Sequence, residues 1–394
     1  MKYGKFLQKN GTIGFVAPSF GCNIDPYKTA FENAQRRWKR QGYRLDLGPN
    51  CYEGKGVGIS NTPERCGQEL TGYYLKEDND CLISCGGGEL MCEILDYVDW
   101  KRIAEAPAKW YMGFSDNTNM TYLLATLCDT ASIYGPCAPS FGMKPLHQSL
   151  KDAFAILCGK EQRPGGCLTE DMDAAWGENI VSDRFEKMDG VQTKFPIFHV
   201  QGYSKWEIEG KKDEENPLAS YNLTERKVLK YYDGKTAPVS GSYPVLSGKE
   251  IPETVVSGRL LGGCMDCLVN LLGTCYDRTG DFVEKYKEEG ILWFLEACDL
   301  NVFGIRRAMW QMEHAGWFRY VKGFLIGRPL SGLESMMNLD RYQAVLDVAA
   351  RKGVPVIMDA DLGHLPPSMP LVTGSYATVQ VKGNDIRVDM ELRP

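Results

Sequence analysis

The residues of this chain best suited to chemistry are a serine, a histidine, an acid and a run of glycines, far apart in sequence. The serine is Ser115, in the stretch "KWYMGFSDNTNMTYLLATL" from Lys109 to Leu127. An apolar segment there ends in Gly-Phe-Ser-Asp and passes at once into a helical pattern. A tight strand-to-helix turn of that kind exposes the hydroxyl and aims backbone N–H groups at one spot. A hydroxyl is a weak nucleophile until a base takes its proton. The motif is incomplete: Gly113 and Ser115 fit G-x-S-x-G, but Asn117 stands where the second glycine belongs. Taken alone, the stretch also fits Ser115 as a helix cap, with Asp116 favourable beside the helix dipole.

The chain has 4 histidines, His147, His199, His314 and His364. His314 falls in an amphipathic helical pattern and reads as a surface or interface residue. His147 and His199 lie in weakly patterned, loop-like sequence. His364 follows "VPVIMDADLG", just past a buried strand in a Gly- and Pro-flanked loop, where an α/β site places its base. An imidazole base needs an acid to fix its tautomer. Glu296 ends the apolar run "ILWFLE", and a carboxylate at the tip of a buried strand is costly unless paired. Asp359 and Asp361 compete for the role, and Glu296 could instead pair with Arg306 or Arg307. "CGGGEL" at 85–90 offers oxyanion donors at another strand-to-helix turn, since glycines let the main chain come close. The same turn could cradle a phosphate, but lacks the Lys-Ser/Thr and the dinucleotide spacing. A third reading makes Cys85 the nucleophile of a thiol hydrolase.

Elements must carry these residues to one place. "TIGFVAPS" reads as a buried strand, and "YRLDLG", "DCLISCGGG", "KWYMGFS" and "ASIYGP" as further strands, separated by helical patterns. The first helix is expected to start at Asp25-Pro26 and to stop at Gly42. This alternation indicates a parallel α/β sheet over about residues 1–155, with ligands beyond the strand C-termini. Residues 156–250 are weakly periodic, carry scattered aromatics such as Trp176 and Trp206, and read as a variable linker or insertion. From 251 to 394 a second α/β domain follows, with strands at "ILWFLE", "KGFLIGR" and "VPVIMDA". Its amphipathic helix is "IRRAMWQMEHAGWF", and its β-rich tail ends in the hairpin "YATVQVKGNDIRVDME".

The chain has 394 residues, 43% apolar and 24% charged, with a net charge of −6, which argues against a nucleic-acid polymer as partner. No run is apolar and long enough to span a membrane, and no secretion signal is evident, so the 14 cysteines are expected as cytoplasmic thiols. Cys264-x-x-Cys267 is the only CxxC, with no second pair or nearby histidine in sequence, so no metal and no cofactor is expected.

With these residues in view, the chain resembles the LD-carboxypeptidase family of serine peptidases, and within it the branch containing a microcin C immunity peptidase. "GTIGFVAPSFG", "CLISCGGGELMCEILDY", "YMGFSDNT", "IYGPCAPSFG", "SGRLLGGCMDCL", "ILWFLEACD" and "VPVIMDADLGHLPPSMPLVTG" carry the resemblance, in the family's order. It implies Ser115 as nucleophile, His364 as base and Glu296 as orienting acid. It further implies an oxyanion hole from the backbone of Gly87, Gly88 and Asp116. The implied fold is a class I amidotransferase-like α/β domain joined to a second α/β domain, in a cytoplasmic homodimer without metal. The substrate would be small and peptide-like: the L,D bond of a muropeptide, or a peptidyl or aminoacyl nucleotide. Arg306, Arg307 and Arg328 are candidates to grip a terminal carboxylate, and Trp176 and Trp206 to stack on a base. The family often has Gly-Gly-Asn where this chain has Gly262-Gly263-Cys264. A catalytically silent binding protein of the same fold is the contrasting expectation.

Overall fold

Each buried run forms a strand because it can be covered on both faces, as parallel sheets require. In the computed structural model, residues 1–160 and 195–394 are described. The first region contains β1 (Thr12–Val16), α1 (Tyr27–Arg40), β2 (Arg44–Leu47), α2 (Pro63–Leu75), β3 (Cys81–Ser84), α3 (Trp100–Glu105), β4 (Trp110–Gly113), α4 (Thr118–Cys128), β5 (Ser132–Tyr134) and α5 (Gln148–Leu157). The five strands pair in parallel in the order β5-β4-β3-β1-β2. The order reverses direction between β3 and β1, which opens a crevice at their C-terminal ends.

Helix ends follow local chemistry. Thr62 caps α2 by accepting from the Arg65 N–H, with Pro63 at the first helical position. α1 begins at Tyr27, one residue later than the Asp25-Pro26 signal predicts, while the Asp25 carboxylate accepts the Thr29 N–H at 3.0 Å. The glycine turn after β3 leads into a short 3-10 helix, Met91–Tyr97, rather than the expected α-helix.

The second region contains β6 (Ile197–Gln201), β7 (Lys205–Trp206), β8 (Glu225–Arg226), β9 (Lys230–Tyr232), β10 (Leu246–Ser247), β11 (Thr254–Cys264), α6 (Met265–Leu271), α7 (Thr279–Lys285), β12 (Ile291–Glu296), α8 (Val302–His314), β13 (Val321–Gly327), α9 (Arg341–Ala349), β14 (Val356–Ala360), β15 (Leu371–Thr373), β16 (Tyr376–Lys382) and β17 (Asp385–Glu391). A nine-stranded sheet runs β10-β9-β14-β13-β12-β11-β16-β17-β6, parallel from β14 to β11 and antiparallel on both flanks. β16 and β17 form the expected hairpin.

Two features depart from the sequence reading. The stretch taken as a linker supplies β6, β9 and β10 to the second sheet. These strands are 5, 3 and 2 residues long, too short to show a period. β15, from the C-terminal region, crosses back and pairs antiparallel with β5 in the first sheet. The two sheets share one apolar core in which Phe15, Met112 and Ile133 meet Leu260, Phe294 and Leu325.

The junction depends on Gly262 and Gly263 at the end of β11. A Cβ on Gly262, at φ 155°, would lie 1.7 Å from the Phe294 carbonyl oxygen. One on Gly263 would lie 2.6 Å from Thr118 Cγ2, at the start of α4. The Cys264 N–H then donates to Thr118 Oγ1 at 3.0 Å, fastening the second sheet to the helix behind Ser115. Gly262→Ala is therefore expected to destabilise the protein by about 3 kcal/mol or more. Urea unfolding measures this, and an unchanged midpoint would contradict the close approach.

Candidate active site

β4 ends at Gly113 and α4 starts at Thr118, which leaves the chain four residues to reverse direction. Ser115 makes the turn with φ 62°, a left-handed conformation that costs a non-glycine residue about 1–3 kcal/mol. Its side chain does not cap the helix. Instead Ser115 Oγ lies 2.8 Å from His364 Nε2, and His364 Nδ1 lies 2.8 Å from Glu296 Oε2. The serine stands beyond β4 of the first sheet, the acid ends β12 of the second, and the histidine follows β14. The structure thus brings the three side chains into one hydrogen-bonded chain.

Asn117, the departure from G-x-S-x-G, braces the turn. Its Nδ2 donates to the Gly86 carbonyl at 2.7 Å and the Phe114 carbonyl at 3.1 Å, and its Oδ1 accepts from Tyr111 OH at 2.5 Å. Gly113 makes room for it, since a Cβ there would sit 2.9 Å from Asn117 Cβ. Asp116 holds three turns together. Its Oδ2 accepts from Ser19 Oγ, beyond β1, at 2.5 Å and from the Met91 N–H, beyond β3, at 2.9 Å. Burial pushes its carboxyl up to about 6, against the opposing effect of these donors.

Gly87 flanks the serine: a Cβ on it would lie 3.1 Å from Ser115 Oγ. Its carbonyl is held by the Phe20 N–H at 2.8 Å. Among the described residues, the N–H groups of Gly87, Gly88 and Asp116 have no protein acceptor. Gly88 packs against Ser19, whose Oγ would be 2.1 Å from an added Cβ.

The electrostatics favour a charged pair. Burial alone would lower the imidazole pKa of His364, but the Glu296 carboxylate and the neighbouring Cys298 thiol outweigh it and raise it well above the usual value. Burial would raise Glu296, and His364, Tyr134 OH and Cys264 together hold it below the ordinary range. Tyr134 was not foreseen as a site residue. Its hydroxyl donates to Glu296 Oε1 at 2.6 Å, and the Ser115 N–H reaches it at 3.4 Å. The one signal in sequence was its position at the end of the short strand "ASIYGP".

Other candidates are placed elsewhere. Asp359 binds Arg341 at 2.9 Å and Asp361 binds Arg328 at 2.9 Å, so neither is the partner of His364. Arg306 pairs with Asp347 on α9, not with Glu296, and Arg307 is exposed on α8. Both therefore point away from the role of carboxylate grip. Arg328 is buried and also donates to the Asp359 carbonyl at 2.8 Å. Trp206 lies beneath its guanidinium, 4.9 Å from ring centroid to carbon, beside the His364 loop. Trp176 lies outside the described residues. Cys85 is only 1% exposed and burial pushes its thiol well up, which disfavours the thiolate a cysteine nucleophile needs. His147 caps α5, His199 pairs with Asp389 on β17, and His314 is exposed on α8.

A profile of the LD-carboxypeptidase N-terminal domain matches residues 13–135, and one of the LD-carboxypeptidase C-terminal domain matches residues 257–379. The chain belongs to the LD-carboxypeptidase family. Membership makes it a serine peptidase, or hydrolase, of the carboxypeptidase type. A putative carboxypeptidase of Vibrio cholerae is 19% identical over 99% of this chain and 98% of its own length. The microcin C7 self-immunity protein MccF of Escherichia coli is 21% identical over 97% of this chain and 94% of its own. Among solved structures, MccF in complex with glutamyl sulfamoyl guanosine superposes with a TM-score of 0.71 at 18% identity, covering 99% of this chain and 98% of that one. Muramoyltetrapeptide carboxypeptidase from Oxalobacter formigenes gives 0.63 at 17% identity, covering 97% and 99%. The two-domain α/β fold is thus the family's fold.

Restoring the motif glycine tests the role of Asn117. Asn117→Gly is expected to lower stability by about 2–4 kcal/mol, because the Tyr111 hydroxyl and the Gly86 carbonyl lose their partner. Reaction of Ser115 with a fluorophosphonate should also slow by at least about tenfold. Unimpaired labelling would show that the elbow needs no brace.

Proposed function

We propose that this protein is a serine carboxypeptidase-type amide hydrolase whose nucleophile is Ser115, with His364 as general base and Glu296 as its orienting acid. The observation that carries the reading is the continuous chain of contacts from Ser115 Oγ to His364 to Glu296, 2.8 Å at each step. Ser115 attacks the amide carbonyl as its proton passes to His364 Nε2. Glu296, fixed by Tyr134, stabilises the imidazolium. The N–H groups of Gly87, Gly88 and Asp116 receive the oxyanion, where a single good donor is worth about 3–4 kcal/mol. The imidazolium then protonates the departing amine, and water activated by the same histidine releases the acid.

The substrate class we propose is a peptidyl or aminoacyl nucleotide. MccF structures are described with glutamyl sulfamoyl guanosine, with aspartyl sulfamoyl adenosine and, in a variant, with adenosine monophosphate. Trp206, half-buried beside the His364 loop, offers an aromatic face near the site. The L,D bond of a muropeptide is the second reading, favoured by the muramoyltetrapeptide carboxypeptidase likeness over most of the chain. We place the protein in the cytoplasm as a homodimer. Every described cysteine is a free thiol, and no described helix is long and apolar enough to cross a membrane.

Incubation with an aminoacyl sulfamoyl nucleoside and with a muropeptide tetrapeptide, followed by chromatography of the products, separates the two substrates. Cleavage of the first alone supports the proposal, and cleavage of the second alone overturns it. Ser115→Ala is expected to lose about 10⁶-fold in kcat. A variant that kept substantial turnover would remove Ser115 from the mechanism.

The pH profile carries a sign. The base works when neutral, and its pKa is raised, so kcat/KM should fall on the acid side with a midpoint above the ordinary histidine value of about 6.5. Glu296→Gln removes the largest raising influence and leaves burial, which lowers, against the Cys298 thiol alone. The acid limb should then move to lower pH while kcat drops by about 10⁴-fold. A limb that stays in place would mean that Glu296 does not face the titrating group.

A further inference from the structure

We propose that Cys264, Glu296 and His364 form a binding site for a soft divalent cation such as Zn²⁺, and that an ion bound there inhibits the enzyme. Sequence left the Cys264-x-x-Cys267 pair without further ligands. The fold supplies them, because β11 and β12 run parallel in a register that sets Cys264 beside Glu296. One ligand atom from each of Cys264, Glu296 and His364 lies within 4.8 Å of the other two. A tetrahedral ion with bonds of about 2.0–2.3 Å holds its ligands about 3.3–3.8 Å apart, so the three atoms need close by only about an ångström. Thiolate, imidazole and carboxylate are the donors that zinc prefers, and water from the substrate cleft can fill the fourth position.

The surroundings hold these donors in place. The Cys264 thiol donates to Asp266 Oδ2 at 3.3 Å. The same Asp266 carboxylate accepts the N–H groups of Cys298, Asp299 and Leu300 at 3.0, 2.9 and 3.1 Å, fixing the loop that follows Glu296. Cys264 is 1% exposed and Glu296 is buried, while the His364 side chain keeps 13% of its surface exposed, which gives the ion its route. On binding, the Cys264 sulfur and one ring nitrogen of His364 each form a bond to the metal, and each releases its proton to solvent. No oxidation occurs. The ion takes the Glu296 carboxylate and one imidazole nitrogen of His364, so the imidazole can no longer take the Ser115 proton as an imidazolium; turnover stops without damage and resumes when a chelator removes the metal.

That inhibition rests on the proposed Ser115–His364–Glu296 relay, whereas cation binding does not, and the two are measured separately. Cobalt titration of the purified protein should produce a near-ultraviolet thiolate-to-cobalt absorption band. The band should vanish in Cys264→Ser and in His364→Ala, and survive in Cys275→Ala, which changes an exposed thiol elsewhere. Zinc should suppress fluorophosphonate labelling of wild-type Ser115, reversibly with EDTA. Cys264→Ser should need at least about tenfold more zinc, since even an outer partner of a metal ligand is worth about that much. A cobalt band that persists in Cys264→Ser, or equal zinc sensitivity in that variant, would overturn the site. Absence of any labelling of the metal-free wild type would instead sink the relay, while the cobalt band still decides the binding.

Discussion

A carboxylate removed from water must find partners for its charge, and Glu296 finds them on both sheets. Its side chain has no exposed surface. One oxygen takes the imidazole of His364, the other the hydroxyl of Tyr134 at the end of β5. Loss of solvent around an ion costs several kcal/mol, so leaving either oxygen bare would be expensive. Satisfying this acid therefore requires the first sheet to close against the second. Glycines wall the acid in. A Cβ on Gly363 would stand 2.4 Å from its Oε2, and one on Gly327 would stand 3.0 Å from its Cβ. The same contacts that solve the burial problem hold the imidazole with Nε2 facing the serine.

Across the cleft the constraint is conformational. Ser115 occupies a backbone region that suits glycine, and a serine persists there only where its surroundings leave no alternative. Asn117 ties the elbow to the glycine turn and to Tyr111, while Asp116 ties it to the turns beyond β1 and β3. These side-chain bonds carry the link beyond the ends of the paired strands, into the loops themselves. The N–H groups of Gly87, Gly88 and Asp116, which find no acceptor among the described residues, lie on these same braced turns. If these groups form the proposed oxyanion hole, fixing their direction before substrate arrives is what would give them catalytic value.

What could be read in the sequence follows from how physical signals travel along a chain. Parallel strands such as Thr12–Val16 and Ile291–Glu296 are buried on both faces, so their apolar runs are plain. An acid at the end of such a run had to be paired, and that narrowed the choice to His364 or an arginine. Strands of two or three residues, such as β9 and β10, carry no period and went unseen, as did the return of β15 to the first sheet. Asn117 looked like a defect because the motif assumes that a glycine clears space. Here Gly113 clears it instead, and the asparagine fills it with hydrogen bonds. Arg306 and Arg307 were plausible by proximity in sequence to Glu296, yet the helical turn carries them toward α9 and solvent. Tyr134 carried only its place at the end of a short strand as a signal, since its meeting with Glu296 joins positions 162 residues apart.

The chemistry sits on strand ends, and the segment around Trp206 borders it through a buried ionic cluster. Arg328 lies over the Trp206 ring and binds Asp361, whose other oxygen takes the Tyr203 N–H at 2.7 Å and lies 3.5 Å from Lys227. The Glu207 N–H donates to the Pro366 carbonyl at 2.8 Å. Residues 203–207 thus grip the His364 loop on both sides, at Asp361 and at Pro366. Packed interiors pass displacement on rather than absorb it. Displacement of Trp206 would therefore be passed on to the loop that carries His364. Under the proposed function, changing this segment to suit another substrate would also move the imidazole, so the geometry of the base would limit the reach of recognition.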